Sequence, residues 1–243
     1  MKAIILAAGR GSRMKDLTEA CPKCLVKLRG RPLLAWQLEA LRQAGINDIA
    51  LVTGYKREML AGFGLTEFHN PRWHQTQMLA SLACAEPWLL QEPCIVSYSD
   101  IFYEHAGVES LMQTPAELAV TYDPNWLAQW TQRFGDPLLD AETFRLHADG
   151  TLAEIGNKPQ SLNQIEGQYM GLLRFTPPAW QRVNSLVEKL PPPERDRLHM
   201  TGLLQKLIEQ GQMPIAAIPY LQAWGEVDTE QDLIVHENIL SGK

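Results

Sequence analysis

The chain has 243 residues, 45% of them hydrophobic and 21% charged, with a formal net charge of -6. That length suits one sizeable α/β core, and the composition reads as soluble and globular. The acidic balance excludes general nucleic-acid binding, and no apolar run approaches the ~20 residues of a membrane span.

In chain order, Lys2–Leu6 reads as a first strand. It is ended by Ala7-Ala8-Gly9 and runs straight into a glycine-rich loop, which is not the pattern of a signal peptide. Pro32–Ala44 has helical spacing through Leu33, Leu34, Leu38 and Leu41 and stops at Gly45. Asp48–Thr53 is a β-branched strand before Gly54, and Lys56–Gly62 reads as a short helix. Gln77–Trp88 predicts one helix with Met78, Leu79, Leu82 and Ala85 on a face, and Cys94–Ser99 a strand ending at Asp100.

The second half changes character. Leu118–Tyr122 predicts a strand, and Phe144–Ile155 two strands joined at Asp149-Gly150, a two-residue hairpin signal. Gln168–Phe175 is a further strand, Pro178–Lys189 and Met200–Gln210 are helices, and Pro191-Pro192-Pro193 is a surface connector. Met213–Ile218 and Trp224–Val227 complete the strands, and Thr229–Leu240 closes the chain as a helix with Thr229 as its cap. Strand–helix alternation predicts a layered α/β fold with a mixed, mainly parallel sheet. The expected organisation is one domain over 1–243, with a β-rich insertion, a nucleotide-binding half over about 1–115 and an acceptor-binding half over about 116–243.

Charge is unevenly spread. Residues 1–31 hold eight basic side chains (Lys2, Arg10, Arg13, Lys15, Lys23, Lys27, Arg29, Arg31) against Asp16 and Glu19. A local positive field in an acidic chain suits a compact polyanion. The loop Leu6-Ala7-Ala8-Gly9-Arg10-Gly11-Ser12-Arg13, followed by Pro22-Lys23, is built for one. Small residues let the backbone approach a phosphate, successive amides form an anion-binding concavity, and Arg13 and Lys23 add mobile positive charge. A dinucleotide fingerprint needs glycine where Met14 stands, and no P-loop string occurs.

Asp100 follows an apolar strand, at the strand end where α/β folds place ligands. Asp228 lies between Trp224–Val227 and the closing helix. Carboxylates beside a triphosphate suit Mg2+, which favours carboxylate and phosphate oxygens. Cys21, Cys24, Cys84 and Cys94 are few for this length, so free thiols in a reducing cytoplasm are expected. Cys21-Pro22-Lys23-Cys24 lacks the further ligands of a zinc site and the context of a redox motif.

The glycine loop, with Leu17-Thr18, Pro22-Lys23-Cys24-Leu25-Val26, Gly30-Arg31-Pro32-Leu33-Leu34, Gly45–Ile49, Thr53-Gly54-Tyr55-Lys56 and Glu226–Leu233, resembles the sugar-nucleotide pyrophosphorylase-like nucleotidyltransferase superfamily. It is most similar to the small cytidylyltransferases that activate phosphocholine, aminoethylphosphonate and related acceptors. The resemblance implies a Rossmann-like, three-layer transferase fold. It implies that the loop from Leu6 to Ser12 binds the triphosphate and that Arg13 and Lys23 contact phosphates as the catalytic cations. It gives Asp100 a nucleotide-side and metal role, with Asp228 as the second Mg2+ ligand, and matches Ser81 to a serine near the base.

On the acceptor side the resemblance points to Lys158, Glu166, Tyr169 and Glu226, and the aromatic spacing adds Trp126 beside Trp130 and Tyr122. Choline-specific relatives carry an aromatic and acidic pair in the helix near residue 200. Here Leu198-His199-Met200-Thr201-Gly202 has neither, which favours another small acceptor. The expected reaction is attack of an acceptor phosphate or phosphonate oxygen on the α-phosphorus of a nucleoside triphosphate, CTP first, with pyrophosphate leaving. The expected partners are that triphosphate and the small acceptor, with a homodimer left open. Alternatives are a sugar-1-phosphate nucleotidyltransferase using UTP, GTP or dTTP, and a non-catalytic regulatory subunit of the same fold.

Overall fold

The computed structural model describes residues 1–14, 16–211 and 213–241. Seven strands form the central sheet: β1 (Lys2–Ala7), β2 (Ile49–Thr53), β3 (Thr66–His69), β4 (Cys94–Tyr98), β5 (Leu118–Asp123), β6 (Gln168–Phe175) and β7 (Ile215–Pro219). Their spatial order is β3-β2-β1-β4-β6-β5-β7. All neighbours run parallel except β6, which is antiparallel to both β4 and β5. The sheet is mixed and mostly parallel, as the alternation of elements predicts.

β1 is continuously apolar because it lies in mid-sheet and buries both faces. Ile4 and Leu6 enter one core, and Ala3, Ile5 and Ala7 enter the other. The second core packs α1 (Leu33–Gln43) through Leu34, Leu38 and Leu41, α3 (His105–Gln113) through Val108 and Leu111, and α4 (Trp126–Phe134) through Trp126 and Trp130. The first core packs α2 (Met78–Ala83), α5 (Pro177–Val187) and α6 (Met200–Gln210). Three layers result. The last helix, α7 (Glu230–Ser241), has a capping box: Thr229 Oγ1 accepts from the Asp232 amide at 3.3 Å, and Asp232 accepts from the Thr229 amide at 2.8 Å.

Several elements differ from the sequence expectation. The single helix over Gln77–Trp88 is two, α2 and Glu86–Leu89, because Pro87 has no amide to continue the ladder and sits instead in the first turn of the second. Arg57–Phe63 is a 3-10 segment. The proline run opens a short helix, Pro192–Asp196. α3, α4 and edge strand β3 are elements the sequence reading does not assign. The hairpin of Phe144–Leu146 and Leu152–Ile155 is antiparallel and separate from the main sheet, with Gly150 at φ 80°. Its connection runs over 147–151 rather than two residues.

Of Trp224–Val227, only Gly225–Glu226 pairs, and it pairs outside the main sheet, antiparallel to Ile101–Phe102. That small ladder positions the site described next. Among the described residues, no helix is long and apolar enough to cross a membrane.

Candidate active site

The glycine loop leaves β1 at the C-terminal edge of the sheet. Its root is held close to the next strand: Ala8 accepts from the Tyr55 amide at 3.0 Å, and a Cβ on Gly54 would lie 2.6 Å from the Ala8 carbonyl oxygen. Thr18 closes the loop by donating to the Gly11 carbonyl at 2.9 Å. A cavity of about 620 Å³ opens over it, walled by Leu6, Ala8, Gly9, Arg10, Gly11, Ser12 and Arg13. Ala7 points the other way, into the second core. Ser81 lies on the cavity's far side, its hydroxyl accepting from Asn70 Nδ2 at 3.0 Å.

Asp100 sits in the turn after β4. Gln37 of α1 brackets that turn, its amide nitrogen donating to the carbonyls of Tyr98 at 2.9 Å and Ile101 at 2.5 Å. The Asp100 carbonyl accepts from the Val227 amide at 2.9 Å, which continues the ladder between 101–102 and 225–226. This pairing brings Asp228 beside Asp100, although 128 positions separate them in the chain. One oxygen of each of Asp100, Glu226 and Asp228 lies within 4.8 Å of the others.

Lys23 reaches into this cluster. Its Nζ donates to Asp100 Oδ2 at 2.6 Å and also pairs with Asp228 Oδ1. Arg13, largely exposed, approaches the same Asp228 oxygen at 2.9 Å. Lys23 is 8% exposed, so it is neither a surface lysine nor the mobile charge expected from the sequence. Burial opposes its charge, but Asp100, Asp228 and Glu226 overcome that and hold its pKa above the ordinary lysine range. Asp228 is likewise buried, yet Lys23 and Arg13 keep its carboxyl below the usual aspartate range. Glu226 moves the opposite way: burial and the adjacent Asp228 push its carboxyl up.

These acids can hold a divalent cation. The donors are hard oxygens, converge from two segments, and leave Asp100 Oδ1 buried without a hydrogen-bond partner.

A second cavity of about 450 Å³ adjoins the first. Arg13, Met78, Tyr98 and Arg197 line both, while Asp100 faces the first and Glu226 the second. Tyr169 lines the second, its ring edge-on to Tyr98 at 5.8 Å between centroids. Three residues of the expected acceptor set lie outside both cavities. Trp126 is 4% exposed and packs in the second core beside Trp130. Lys158 is exposed and donates to the Leu138 carbonyl. Glu166 is exposed and accepts from the Leu146 amide at 2.6 Å, which ties it to the hairpin. None of the three lines either cavity.

Residues not singled out from the sequence are Gln37, Arg133, Glu142 and Arg197. Glu142 and Arg197 line the second cavity. Gln37 and Arg133 carry their signal only in burial, since a polar residue on an apolar helix face looks like ordinary surface until its partners are known.

Residues 3–159 match the MobA-like NTP transferase domain. The chain belongs to that family. It is 35% identical to the CTP:phosphoglutamine cytidylyltransferase of Campylobacter jejuni, over 97% of this chain and 98% of that one. It is 52% identical to the choline-phosphate cytidylyltransferase of Streptococcus pneumoniae over a shorter stretch, 24% of this chain and 25% of that one. The fold of this NTP transferase is shared with the inositol-1-phosphate CTP transferase of T. maritima: TM-score 0.76, 19% identity, 99% of this chain and 96% of that one. The Rossmann-like transferase fold expected from the sequence is therefore the one present, and the chain is a nucleotidyltransferase.

Proposed function

We propose that this enzyme transfers CMP from CTP to a small acceptor bearing a phosphate or phosphonate, with release of pyrophosphate. The observation that carries the reading is the pair of adjoining cavities: they share Arg13, and the acidic cluster stands at their junction with Asp100 facing one and Glu226 the other. The two cytidylyltransferase relatives support CTP as donor.

In this reading the amides of residues 8–12 bind the triphosphate, and Ser81 lies toward the base. The acceptor enters the second cavity. An acceptor oxygen attacks the α-phosphorus in line, forming one O–P bond as the bond to the pyrophosphate oxygen breaks. No protein nucleophile is required, and positioning with charge neutralisation supplies the rate. Arg13 and Lys23 offset repulsion between two anions. Asp100, Asp228 and Glu226 would hold Mg2+, which would supply neutralisation of the phosphate charge. The four cysteines are free, which suits a reducing, cytoplasmic setting.

The second cavity carries both signs of charge, Arg13 and Arg197 against Asp140, Glu142 and Glu226. Such a wall suits an acceptor with an anionic phosphate and a cationic amine, such as a phosphorylated amino acid, better than a neutral sugar ring. The test is a pyrophosphate-release screen of four nucleoside triphosphates against phosphorylated amino acids, phosphoamines, aminophosphonates and sugar 1-phosphates. CTP with a nitrogen-bearing acceptor is the expected pair, and EDTA should stop release. Turnover confined to UTP, GTP or dTTP with a sugar 1-phosphate would replace this reading with the sugar-nucleotide one. CTP turnover that persists in EDTA would remove the metal from it.

A further inference from the structure

Arg133 lies on α4, its side chain has no exposure to solvent, and it lines neither cavity. Sequence gives it no role. A buried guanidinium is costly unless it is paired, and here it meets three carboxylates. Its Nε donates to Asp232 Oδ1 at 2.8 Å, with Nη2 3.4 Å from the other oxygen of the same carboxylate. Its Nη1 donates to Glu226 Oε2 at 3.3 Å, and Nη2 stands 3.8 Å from Asp228 Oδ2. The rings of Trp130 and Phe134, 6.3 Å apart between centroids, lie 4.7 and 4.8 Å from its central carbon on adjacent sides. The Asp232 fork orients the group, and the two rings pack against it.

Asp232 carries the constraint into the backbone. Its Oδ2 accepts from the amides of both Asp228 and Thr229 at 2.8 Å. The peptide that presents Asp228 is thus tied to the same carboxylate that orients Arg133.

We propose that Arg133 is the positioning residue of the acidic cluster: anchored by Asp232 and by two aromatic rings, its guanidinium sets the separation of Glu226 and Asp228 so that these carboxylates and Asp100 converge on one divalent cation. The inference rests on the reading of that cluster as a cation site. Arg133 never meets substrate. It acts by holding two acids that would otherwise repel each other, standing on the Oδ2 side of Asp228 while Lys23 and Arg13 approach Oδ1.

Charge and geometry predict opposite signs for its removal. Losing a positive charge beside three acids should by charge alone tighten a divalent cation. Losing the anchor should weaken it, and partners that orient metal ligands are typically worth about 10–100-fold in affinity. The test measures Mn2+ binding, alone and with CTP, by calorimetry and by the EPR signal of free Mn2+, for wild type, Arg133→Lys and Arg133→Met. Folding of each is checked by circular dichroism. Arg133→Met is expected to weaken Mn2+ at least ten-fold. In pyrophosphate release it should raise the half-saturating Mg2+ more than it lowers kcat. Arg133→Lys keeps a cation but cannot fork to Asp232 and Glu226 together, and it is expected to lie between the two.

A folded variant that binds Mn2+ as tightly as wild type, or tighter, overturns the positioning role. If Arg133→Met does not fold, Arg133→Lys decides alone: a several-fold weakening supports the role, and unchanged affinity overturns it. Wild type that binds no Mn2+ with or without CTP overturns the cation-site reading, and this inference with it.

Discussion

Gly11 and Lys23 meet so closely that a methyl group on Gly11 would stand 2.8 Å from Cδ of Lys23. Gly11 also has φ 70°, in the left-handed region. The glycine therefore does two things: it lets the loop turn, and it opens the channel through which the lysine reaches Asp100. Gly11→Ala should cost about 1–2 kcal/mol from the backbone alone. It should also lower turnover about ten-fold or more by displacing Lys23, since small misplacements at a reacting centre are expensive. Gly9 has open space around it, so Gly9→Ala should leave stability unchanged. Urea unfolding of both variants checks this, and equal stability losses would mean that the Gly11–Lys23 contact is unimportant.

Removing the lysine charge is a different experiment. Lys23→Met keeps an unbranched side chain but leaves Asp100 and Asp228 facing each other without it. Breaking a buried pair from one side typically costs about 3–5 kcal/mol. The variant should therefore melt lower than wild type in EDTA and regain much of the loss in millimolar Mg2+, which can take up the same carboxylates. Turnover should fall about 10²–10³-fold, the usual size for one lost electrostatic contact. A melting temperature insensitive to Mg2+ in this variant would separate the lysine from the cation site.

The difference between what sequence reveals and what it hides follows contact range. The glycine loop, β1 and α1 are local patterns, so Leu6–Arg13 and Leu33–Leu41 can be read from spacing. Asp100 stands out because it follows an apolar run, and Asp228 because it lies between strand-like Trp224–Val227 and the closing helix. What joins them is the antiparallel pairing of 101–102 with 225–226 and the bracket formed by Gln37, contacts without any local signature. Arg133 was hidden for the same reason, since its partners lie 93 to 99 positions away. Trp126 packs in the core instead of lining a cavity, and period and aromaticity do not say which side of a helix faces a cavity. Lys158 and Glu166 lie outside the cavities, hydrogen-bonded to backbone 20 positions away.

The cysteines give a test of the two cores. Burial pushes the thiols of Cys24 and Cys94 up to about 12, whereas Cys21 and Cys84 are half-buried. Thiolate is the reactive form. At pH 8 in native protein, Cys24 and Cys94 should react with an aromatic disulfide reagent orders of magnitude more slowly than in urea, and Cys21 and Cys84 should account for the fast phase. Peptide mapping of the labelled protein identifies them. Rapid native labelling of Cys94 would be incompatible with its place at the start of β4.

His236 on α7 should contribute to the loss of stability in acid. It is fully buried, and its Nε2–H donates to the Glu226 carbonyl at 2.8 Å while Nδ1 has no partner. Phe102 lies edge-on at 5.2 Å between ring centroids. Burial lowers its pKa to about 4, against about 6.5 in an unfolded chain. Between those values the unfolded state binds a proton that the native state refuses, so stability rises with pH across the window and is lost as pH falls through it. Taking the whole interval, the loss from this one ring between pH 7 and pH 4 is about 3 kcal/mol. His236→Gln removes the titration, so its unfolding free energy should fall less steeply than wild type's between pH 6.5 and 4, by about one proton's worth of slope. Urea curves at pH 7, 5.5 and 4.5 measure the difference. Parallel pH dependences for the two proteins would show that the ring titrates normally in the fold.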